Sequence, residues 1–389
     1  MDEASRRQAR NGSDRGRGSP VCVRRDAIRR GGSNASLPSR WDQQGVTRDV
    51  ITCQHAAHIT RTAVGVVIPV YMPAGVDAIS GEALLRDTVA TFCQFVEDPA
   101  DVCLSVDGTQ HGAAIATRLA SELGATLCLA DENRGKLQAA IRGARELLTR
   151  RSLAYLAVVD QDGDHFANEL LNLVRAAEHI AALTGAQRVL VLGQRVSRHH
   201  PMGWLRGELE ELADRMLLDA LHYYAAVRGE PLRLEFAQPC EEYPDFHSGY
   251  KLFSRATAED VFLREPEYAG CSGECYYRHA CEAVMTVEAL VSGAVLGVVR
   301  RSTINEQPVS AFGLYNRQQL TADMIIWPCK RLGVPPNFVR QWLANHTPRL
   351  LLNTLSPAGK DELRQVAALV LAAFGAQPGN EPVLQPLFL

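Results

Sequence analysis

The alternation of short apolar runs with amphipathic segments between residues 63 and 160 constrains the fold more than any other feature of the sequence. Each run is rich in valine, isoleucine or leucine and is too short for a buried helix, so it predicts a strand covered on both faces. Strands that alternate with helices form right-handed crossover units, which predicts an α/β fold with a mainly parallel central sheet. The predicted strands are 63–71, 102–108, 126–130 and 153–160, and the predicted helices are 83–96, 113–124 and 136–150.

The second half of the chain continues this pattern less regularly. A long amphipathic segment at 207–229 carries leucine, methionine and tyrosine in a helical stripe, which is more typical of a core-facing helix than of a membrane face. Residues 301–389 are predicted to form a helical C-terminal extension. The other predicted helices are 168–185 and 272–286, and the predicted strands are 188–196, 249–254 and 289–299.

The composition is that of a soluble globular protein, with 46% hydrophobic and 22% charged residues. A net charge of −3 argues against nucleic acid as a partner. The ten cysteines are scattered, which favours a reducing compartment. No apolar run reaches the ~18 residues of a membrane span, and residues 1–60 hold no apolar core typical of a signal peptide. We therefore expect a cytoplasmic protein with at most peripheral membrane contact.

Residues 1–60 are rich in arginine, serine and glycine and poor in large apolar residues. Such a segment buries too little surface to offset its chain entropy, so it is predicted to be a disordered basic N-terminal tail. The alternative is a basic arm that binds nucleic acid or anionic lipid. The acidic residues Asp2, Glu3, Asp14 and Asp26 dilute that charge.

Polar clusters follow the first four predicted strands. Because the carboxyl ends of parallel strands meet at one edge of the sheet, these clusters are expected to converge on one binding site. Three common nucleotide or ester sites are excluded there, since the sequence lacks the glycine-rich dinucleotide fingerprint, the P-loop and the G-x-S-x-G elbow. The clusters are 69–71, 106–110, 130–136 and 160–165.

The cluster "DQDGDH" places three aspartates at alternate positions directly after a predicted strand. A calcium loop of the EF-hand type begins in this way, but it needs glycine at its sixth position and glutamate at its twelfth, where this chain has His165 and Leu171. Asp160 and Asp162 suit another task, which is to hold one Mg²⁺ or Mn²⁺ against a diphosphate. Asp164 and His165 are explained as a helix cap and a supporting residue.

Four segments together resemble the GT-A glycosyltransferases, in particular family 2. "VVIPVY" resembles the first strand of that family, "SVDGTQ" its Val-Asp-Asp-Gly-Ser segment, "NRGKLQAAIRGA" its Asn-x-Gly-Lys segment, and "VVDQDGDH" its Asp-Ala-Asp-Gly-Gln-His segment. The resemblance runs from about residue 64 to 300. It implies a GT-A type Rossmann-like sandwich and an inverting, metal-dependent transfer of a hexose from a UDP- or GDP-sugar to an acceptor hydroxyl.

The resemblance assigns roles residue by residue. Asp160 and Asp162 fall on the metal-binding pair, with Asp160 also contacting the nucleotide, and Asp107 falls where the base or ribose is contacted. Residues 247–255 and 271–281 resemble segments on the acceptor side of that family. The residues that it assigns to substrate binding are Pro69, Tyr71, Asp107, Asn133, Lys136, Asp160, Ser248 and Gly249.

The catalytic base is the point at which this sequence departs from the family. The family places Asp where this chain has Cys275, and a thiol is a poor base for a sugar hydroxyl. Glu274, the preceding residue, is therefore the predicted base. Asp245, Glu241 and Glu242 are alternatives for that role, and Arg300 and Arg301 are candidates to clamp the diphosphate.

Simpler explanations stay open for several of these residues. Asp107 can cap a turn, and Lys136 can be a solvated residue of a first helical turn. The acid Glu274 can serve as a structural residue at the start of a helix. A zinc cluster is a further alternative, although its spacing is not a standard one. Its ligands would be Cys271, Cys275, His279 and Cys281.

Two other functions remain as alternatives to glycosyl transfer. A sugar-phosphate nucleotidyltransferase needs a glycine-rich loop after the first strand, which "PVYMPAG" does not provide. A non-catalytic nucleotide-sugar-binding protein agrees with the loss of the family's aspartate at Cys275. The acceptor is expected to be a small molecule, a glycan or a protein. The predicted domains are the tail (1–60), a GT-A domain (61–300) with a nucleotide-binding half (61–165) and an acceptor half (166–300), and the extension (301–389).

Overall fold

The computed structural model describes residues 50–376 with gaps at 74, 110–111, 151, 238–242, 304–314 and 356. Most of the predicted N-terminal tail therefore lies outside the described residues, as do Glu241 and Glu242. Within this part of the chain, no helix is long and apolar enough to cross a membrane.

A seven-stranded sheet organises the described chain and confirms the predicted α/β fold. The strand order is β3-β2-β1-β4-β6-β5-β7. Strand β6 runs antiparallel to both of its neighbours, and the other paired strands are parallel. The strands are β1 (Val64–Val70), β2 (Val102–Val106), β3 (Thr126–Leu129), β4 (Tyr155–Val158), β5 (Val189–Arg195), β6 (Lys251–Ser254) and β7 (Val295–Arg301).

Helices cover both faces of this sheet. The predicted helical extension is confirmed in the range 317–373. The helices are α1 (Cys53–Ala63), α2 (Ala78–Phe95), α3 (Gly112–Leu123), α4 (Lys136–Arg150), α5 (Leu170–Thr184), α6 (His199–Arg228), α7 (Arg255–Phe262), α8 (Cys281–Val291), α9 (Arg317–Arg331), α10 (Pro336–His346), α11 (Leu352–Leu355) and α12 (Gly359–Ala373), with a π-helical turn at Cys275–His279 and 3₁₀ turns at Pro99–Asp101, Ala167–Glu169 and Thr347–Arg349.

The period-two alternation of strand β1 divides the core into two layers. Val66 and Ile68 face the core formed with α2, α3 and α5, whereas Val67 faces the core formed with α4, α6 and α8. All seven residues of β1 are buried, which explains why its sequence is a continuous apolar run. The C-terminal helices belong to the second layer, since Trp327 of α9 is fully buried there.

Three boundaries differ from the sequence prediction. The predicted tail ran too far, because Thr52 caps helix α1 and Ala56 packs into the core. The predicted helix 272–286 is divided into the π-helical turn and α8. The predicted strand 289–299 begins only at Val295, because α8 continues to Val291 and Gly293 turns the chain with a φ of 85°. An apolar run can continue through a buried helix and into a buried strand, so periodicity did not reveal this boundary.

Candidate active site

A cavity of about 260 Å³ opens at the carboxyl ends of β1 and β4 and brings most of the predicted site residues together. This is the edge at which open α/β sheets bind their ligands. The predicted residues that line it are Pro69, Tyr71, Asp107, Asn133, Lys136, Asp160, Asp162 and Gly249.

The carboxylate loop, residues 160–165, follows β4 and contributes Asp160 to the centre of the cavity. Lys136, the first residue of α4, forms an ion pair with Asp160. Burial alone would raise the pKa of Asp160, but the Lys136 ammonium and other nearby positive charges, Arg301 among them, together outweigh burial and hold the pKa below its ordinary value. The carboxylate needs room on its other side, because a Cβ on Gly249 would overlap Asp160 Oδ2. Gly249 therefore lets the chain before β6 approach this acid.

Asp162 lies in a more negative setting. Burial, together with the neighbouring Asp160 and Asp164 carboxylates, raises the pKa of Asp162 to about 7. Asp164 is fully buried and forms an ion pair with Arg301, whose Nη1 lies 3.2 Å from Asp164 Oδ2. Arg301 also lines the cavity. The crowded carboxylates suit a bound cation, and the neighbouring Lys136 and Arg301 suit a bound anion.

His165, the last residue of the carboxylate loop, contacts both the loop and Tyr250. The backbone N–H of Asp160 donates to His165 Nδ1 at 2.8 Å, and the ring stacks on Tyr250 with centroids 4.9 Å apart. Burial, and next the Arg301 charge, hold the pKa of His165 well below its ordinary value, so the ring is neutral. His165 therefore supports the loop, as the sequence indicated.

Glu282 was missed by the sequence analysis although it lines the cavity. This residue lies in the first turn of α8, and its carboxylate bridges Lys136 Nζ and Lys251 Nζ, each at 2.6 Å. Burial alone would lower the pKa of Lys136, but Asp160 and Glu282 raise it above its ordinary value. Lys136 is thus a fixed positive charge between two acids.

Asp107 holds the segment that leads into α4. Its carboxylate accepts the backbone N–H groups of Arg134 at 2.9 Å and Gly135 at 2.7 Å. Burial raises the pKa of Asp107, and these hydrogen bonds oppose the rise. Gly135 has a φ of 116°, and a Cβ there would collide with the backbone of Tyr277. Asp107 is therefore both a turn-holding residue and a group that lines the cavity.

The neighbouring edge of the cavity carries Asn133 and Arg278. The Arg278 guanidinium donates to the carbonyl oxygen of Asn133 at 2.5 Å and to the Tyr315 hydroxyl at 3.4 Å. Asn133 Oδ1 is buried and has no hydrogen-bond partner among the described residues. Such an acceptor is suited to a polar ligand that supplies a donor.

Tyr71 is held at the end of β1 by Gln161, which the sequence analysis did not select. The Tyr71 N–H donates to Gln161 Oε1 at 3.0 Å, and Gln161 Nε2 donates back to the Tyr71 carbonyl oxygen. This amide joins the ends of β1 and β4 in the manner of a strand pair. Pro69 lies in β1 just before it and is also at the cavity wall.

An arginine network backs a second wall of the cavity, and apart from Asp245 the sequence analysis did not select its members. It consists of Arg195, Arg198, Glu210, Asp214 and Asp245. Asp245 is fully buried and accepts from Arg195 at 2.6 and 2.7 Å. Burial alone would raise the pKa of Glu210, but Arg195 and a further arginine lower it to about 2. Asp245 is therefore committed to structural ion pairs, and its alternative role as the base is not supported by its position.

A histidine extends this network into the cavity. His247 lines the cavity and is only 7% exposed, and its Nδ1 lies 2.7 Å from Asp214 Oδ1. A second histidine, His279 of the π-helical turn, also lines the cavity and pairs with Asp323 of α9 at 2.6 Å. In both rings Nε2 is buried without a hydrogen-bond partner among the described residues.

Two predicted site residues are not among those that line the cavity. Ser248 is buried, and its hydroxyl donates to the carbonyl oxygen of Gly193 at 2.6 Å, so its role is structural. Glu274 is exposed to solvent just before the π-helical turn. The carboxylate that this region does place in the cavity is Glu282, which follows that turn. The position of Glu274 therefore does not support its assignment as the base.

Two further predictions about this region are corrected or narrowed. Of the two candidate diphosphate arginines, Arg301 lines the cavity, whereas Arg300 is exposed. The alternative zinc cluster at 271–281 is not assembled, since His279 pairs with Asp323 instead. Among the described residues, the group with metal-ligand side chains at mutual reach lies elsewhere, at His199, Glu208 and Glu211.

No protein-family model matches the chain, and no curated protein matches it. Among solved structures, the chain is similar to residues 1–349 of S. aureus TarS, with 12% identity and a TM-score of 0.35. The same protein in complex with UDP gives 14% identity and a TM-score of 0.36. Each match covers 80% of this chain and 89% of the other. A likeness of this extent carries no conclusion about the chemistry of the cavity.

Proposed function

We propose that this protein is an inverting, metal-dependent glycosyltransferase of the GT-A type, which transfers a hexose from a UDP- or GDP-sugar to an acceptor hydroxyl. One observation carries the proposal: the cavity at the carboxyl edge of the sheet combines a pair of carboxylates, Asp160 and Asp162, with the cations Lys136 and Arg301. A nucleoside diphosphate bound with a divalent cation needs both kinds of charge.

The nucleoside is assigned to the side of the cavity formed by Asp107, Asn133 and Tyr71. Asp107 and the unpartnered Asn133 Oδ1 offer acceptors for polar groups of the base or ribose. Tyr71 is fixed at the end of β1 by Gln161 and provides a rigid surface for the base. Arg301 is the residue assigned to the diphosphate.

The carboxylate loop fits Mg²⁺ or Mn²⁺ as the cofactor. The raised pKa of Asp162 reports a buried group beside two other carboxylates, and a cation between Asp160 and Asp162 would relieve that repulsion. These are oxygen ligands, which Mg²⁺ and Mn²⁺ prefer. When bound, such an ion neutralises charge on the departing diphosphate.

The residues of this chain supply the rest of the chemistry. Lys136 and Arg301 place fixed positive charge in the cavity, and Gly249 keeps space for Asp160. Inversion is proposed from the sequence resemblance to family 2, in which the acceptor oxygen displaces the diphosphate directly. The proposed acceptor is a small molecule, a glycan or a protein.

The test is to incubate the full chain with radiolabelled UDP- and GDP-sugars in the presence of Mn²⁺, Mg²⁺ or a chelator, and to measure release of free sugar and transfer to candidate acceptors. We expect metal-dependent turnover of at least one donor. An Asp162→Asn variant removes one metal ligand at constant volume and is expected to lose this turnover.

Three results would count against the proposal in different ways. Nucleotide-dependent thermal stabilisation without any sugar release would instead support a non-catalytic nucleotide-sugar-binding protein. Release of pyrophosphate from a nucleoside triphosphate and a sugar phosphate would support a nucleotidyltransferase. Full activity of the Asp162→Asn variant would remove the metal assignment alone.

A further inference from the structure

We propose that His247 is the general base that removes the proton from the acceptor hydroxyl, with Asp214 as the residue that positions its ring. This inference rests on the proposed glycosyl transfer and replaces the sequence-based assignment of Glu274. It follows from the hydrogen bond between the ring and Asp214, from the unpartnered nitrogen of the ring and from the position of His247 in the cavity wall, two residues before Gly249.

The contact with Asp214 fixes which nitrogen of His247 carries the proton. Asp214 Oδ1 lies 2.7 Å from Nδ1, and a carboxylate can only accept, so Nδ1 carries a hydrogen and Nε2 is the nitrogen that remains to act as the base. Asp214 is itself fully buried, and its second oxygen accepts from Arg198 Nε at 3.0 Å. The arginine network thus holds the carboxylate that orients the ring.

The second ring nitrogen of His247 has no partner within the described part of the chain. His247 lines the cavity, and its Nε2 is buried without a hydrogen-bond partner among the described residues. Burying a polar atom without a partner costs free energy, so such atoms usually serve a ligand or a reaction. A hydroxyl donor from an acceptor would satisfy this nitrogen.

The strand pairing places His247 close to the proposed diphosphate site. The register of β4 with β6 pairs Val158 with Lys251. Continued past the strand ends, this register brings Gly249 against Asp160, as their contact shows. His247 precedes Gly249 by two residues, so it lies on the part of the chain that borders the carboxylate loop. In this proposal, a sugar linked to a diphosphate at the carboxylate loop lies next to His247.

Two other acids that line the cavity are already engaged. Glu282 is bound by two lysines, Lys136 and Lys251. Glu210 is bound by Arg195 and Arg206. A carboxylate that is paired with two cations is a weak base, because proton uptake would break its ion pairs.

The proposed reaction is a direct displacement at the anomeric carbon of the donor sugar. The acceptor O–H proton moves to His247 Nε2, and the acceptor oxygen forms a bond to the anomeric carbon. The bond from that carbon to the diphosphate breaks, and its electron pair leaves with the nucleoside diphosphate. Asp214 stabilises the imidazolium that results, and the proton then passes to solvent.

His279 provides a matched control, because it is also a cavity histidine with an aspartate partner and an unpartnered Nε2. It differs in position. The adjacent Arg278 binds the carbonyl oxygen of Asn133, and Asp107 holds the segment that follows. His279 therefore lies on the proposed nucleoside side, where we assign it to donor binding.

The experiment compares His247→Asn with His279→Asn in the full chain. An asparagine amide nitrogen can keep the hydrogen bond that Nδ1 makes with the aspartate. Asparagine has no atom at the position of Nε2. Water serves as the acceptor, and the measured quantities are kcat and KM for hydrolysis of the donor that the wild type accepts. Calorimetry with UDP or GDP and Mn²⁺ gives the affinity of the nucleotide.

For His247→Asn we expect kcat to fall by about 10²- to 10⁴-fold, the usual contribution of a general base, with nucleotide and Mn²⁺ affinity within twofold of wild type. For His279→Asn we expect a higher donor KM with little change in kcat. The variant His247→Gln keeps the size of the side chain, so it provides the same comparison if His247→Asn does not fold.

Retention of kcat within threefold in either folded His247 variant would overturn the base assignment while leaving the glycosyltransferase proposal intact. A parallel loss of Mn²⁺ affinity would also overturn it, since His247 would then be a metal ligand. Absence of wild-type turnover with every UDP- and GDP-sugar would overturn the proposed function itself. The two failures are therefore distinguishable.

Discussion

Carboxylates crowd together in the carboxylate loop, whereas in the arginine network of the second wall buried carboxylates face guanidinium groups. In the loop, burial and neighbouring acids raise the pKa of Asp162 to about 7. In the network, Arg195 and its neighbours overcome the effect of burial and bring the pKa of Glu210 down to about 2. Two buried acids that line the same cavity therefore have pKa values shifted in opposite directions.

This difference indicates that the carboxylate loop and the arginine network have different roles. Buried acids beside other acids raise the free energy of the site unless a cation joins them, so the carboxylate loop is suited to a ligand that brings positive charge. Buried acids beside arginines are already compensated and are suited to holding geometry. Variants that remove one charge or one contact on each wall can test this comparison.

The largest expected effect is on the arginine network. Asp245→Asn leaves Arg195 and Arg198 buried without their shared carboxylate. Removing one partner of a buried ion pair typically costs about 3–5 kcal/mol. We expect the free energy of unfolding to fall by that amount, measured by urea denaturation with circular dichroism.

The control for this prediction is Asp361→Asn. Asp361 forms an exposed ion pair with Arg364, and such pairs contribute about 0–1 kcal/mol. If Asp245→Asn costs no more than this control, the guanidinium groups must reach water when the carboxylate is lost. The network would then be an ordinary solvated cluster, and the contrast between the two walls would disappear.

The next effect concerns the geometry of the carboxylate loop. Gly249→Ala introduces a Cβ that overlaps Asp160 Oδ2 and forces the acid to move. A misplacement of about 1 Å can reduce catalysis by about 10²-fold, and we expect a loss of this order in metal-dependent donor turnover. Gly273→Ala is the matched control, since its Cβ would approach only Tyr277, at 3.9 Å. Equal activity of the two variants would show that Asp160 does not need its present position.

The sequence predicted the carboxylate loop because the information is local. Asp160 and Asp162 are separated by one residue and follow a buried strand, so their shared location at the sheet edge depends only on the strand. The parallel direction of the first four strands was also predictable, because short apolar runs alternate with helices along the chain. The antiparallel insertion of β6 between β4 and β5 left no such signal.

The arginine network was not predictable because its partners come from distant segments. His247 meets Asp214 across 33 positions of the chain, and Lys136 meets Glu282 across 146. The structure does not support the choice of Glu274 for a local reason, since the π-helical turn at 275–279 lies between it and α8. That turn leaves Glu274 in solvent, and the acid in the cavity comes from the first turn of α8.

A smaller effect is expected where the two strand ends are joined. Gln161→Ala removes both hydrogen bonds to the backbone of Tyr71. Each such bond contributes about 0.5–1.5 kcal/mol, so we expect the free energy of unfolding to fall by about 1–3 kcal/mol and the UDP dissociation constant to rise as Tyr71 loses its support. Gln161→Glu keeps one acceptor for the Tyr71 N–H, so it is expected to lose less. An unchanged dissociation constant in Gln161→Ala would place the nucleoside away from Tyr71.

The smallest expected effect is at Glu274, where the sequence and the structure disagree most. Glu274 is exposed and lies outside the cavity lining, so Glu274→Gln is expected to leave kcat and KM within twofold of wild type. The same substitution at Glu282 removes the charge that binds two lysines and is expected to reduce donor turnover strongly. A large loss of kcat in Glu274→Gln, with normal nucleotide affinity, would mean that the π-helical turn rearranges when substrate binds and brings this acid to the acceptor. That outcome would move the base from His247 to Glu274.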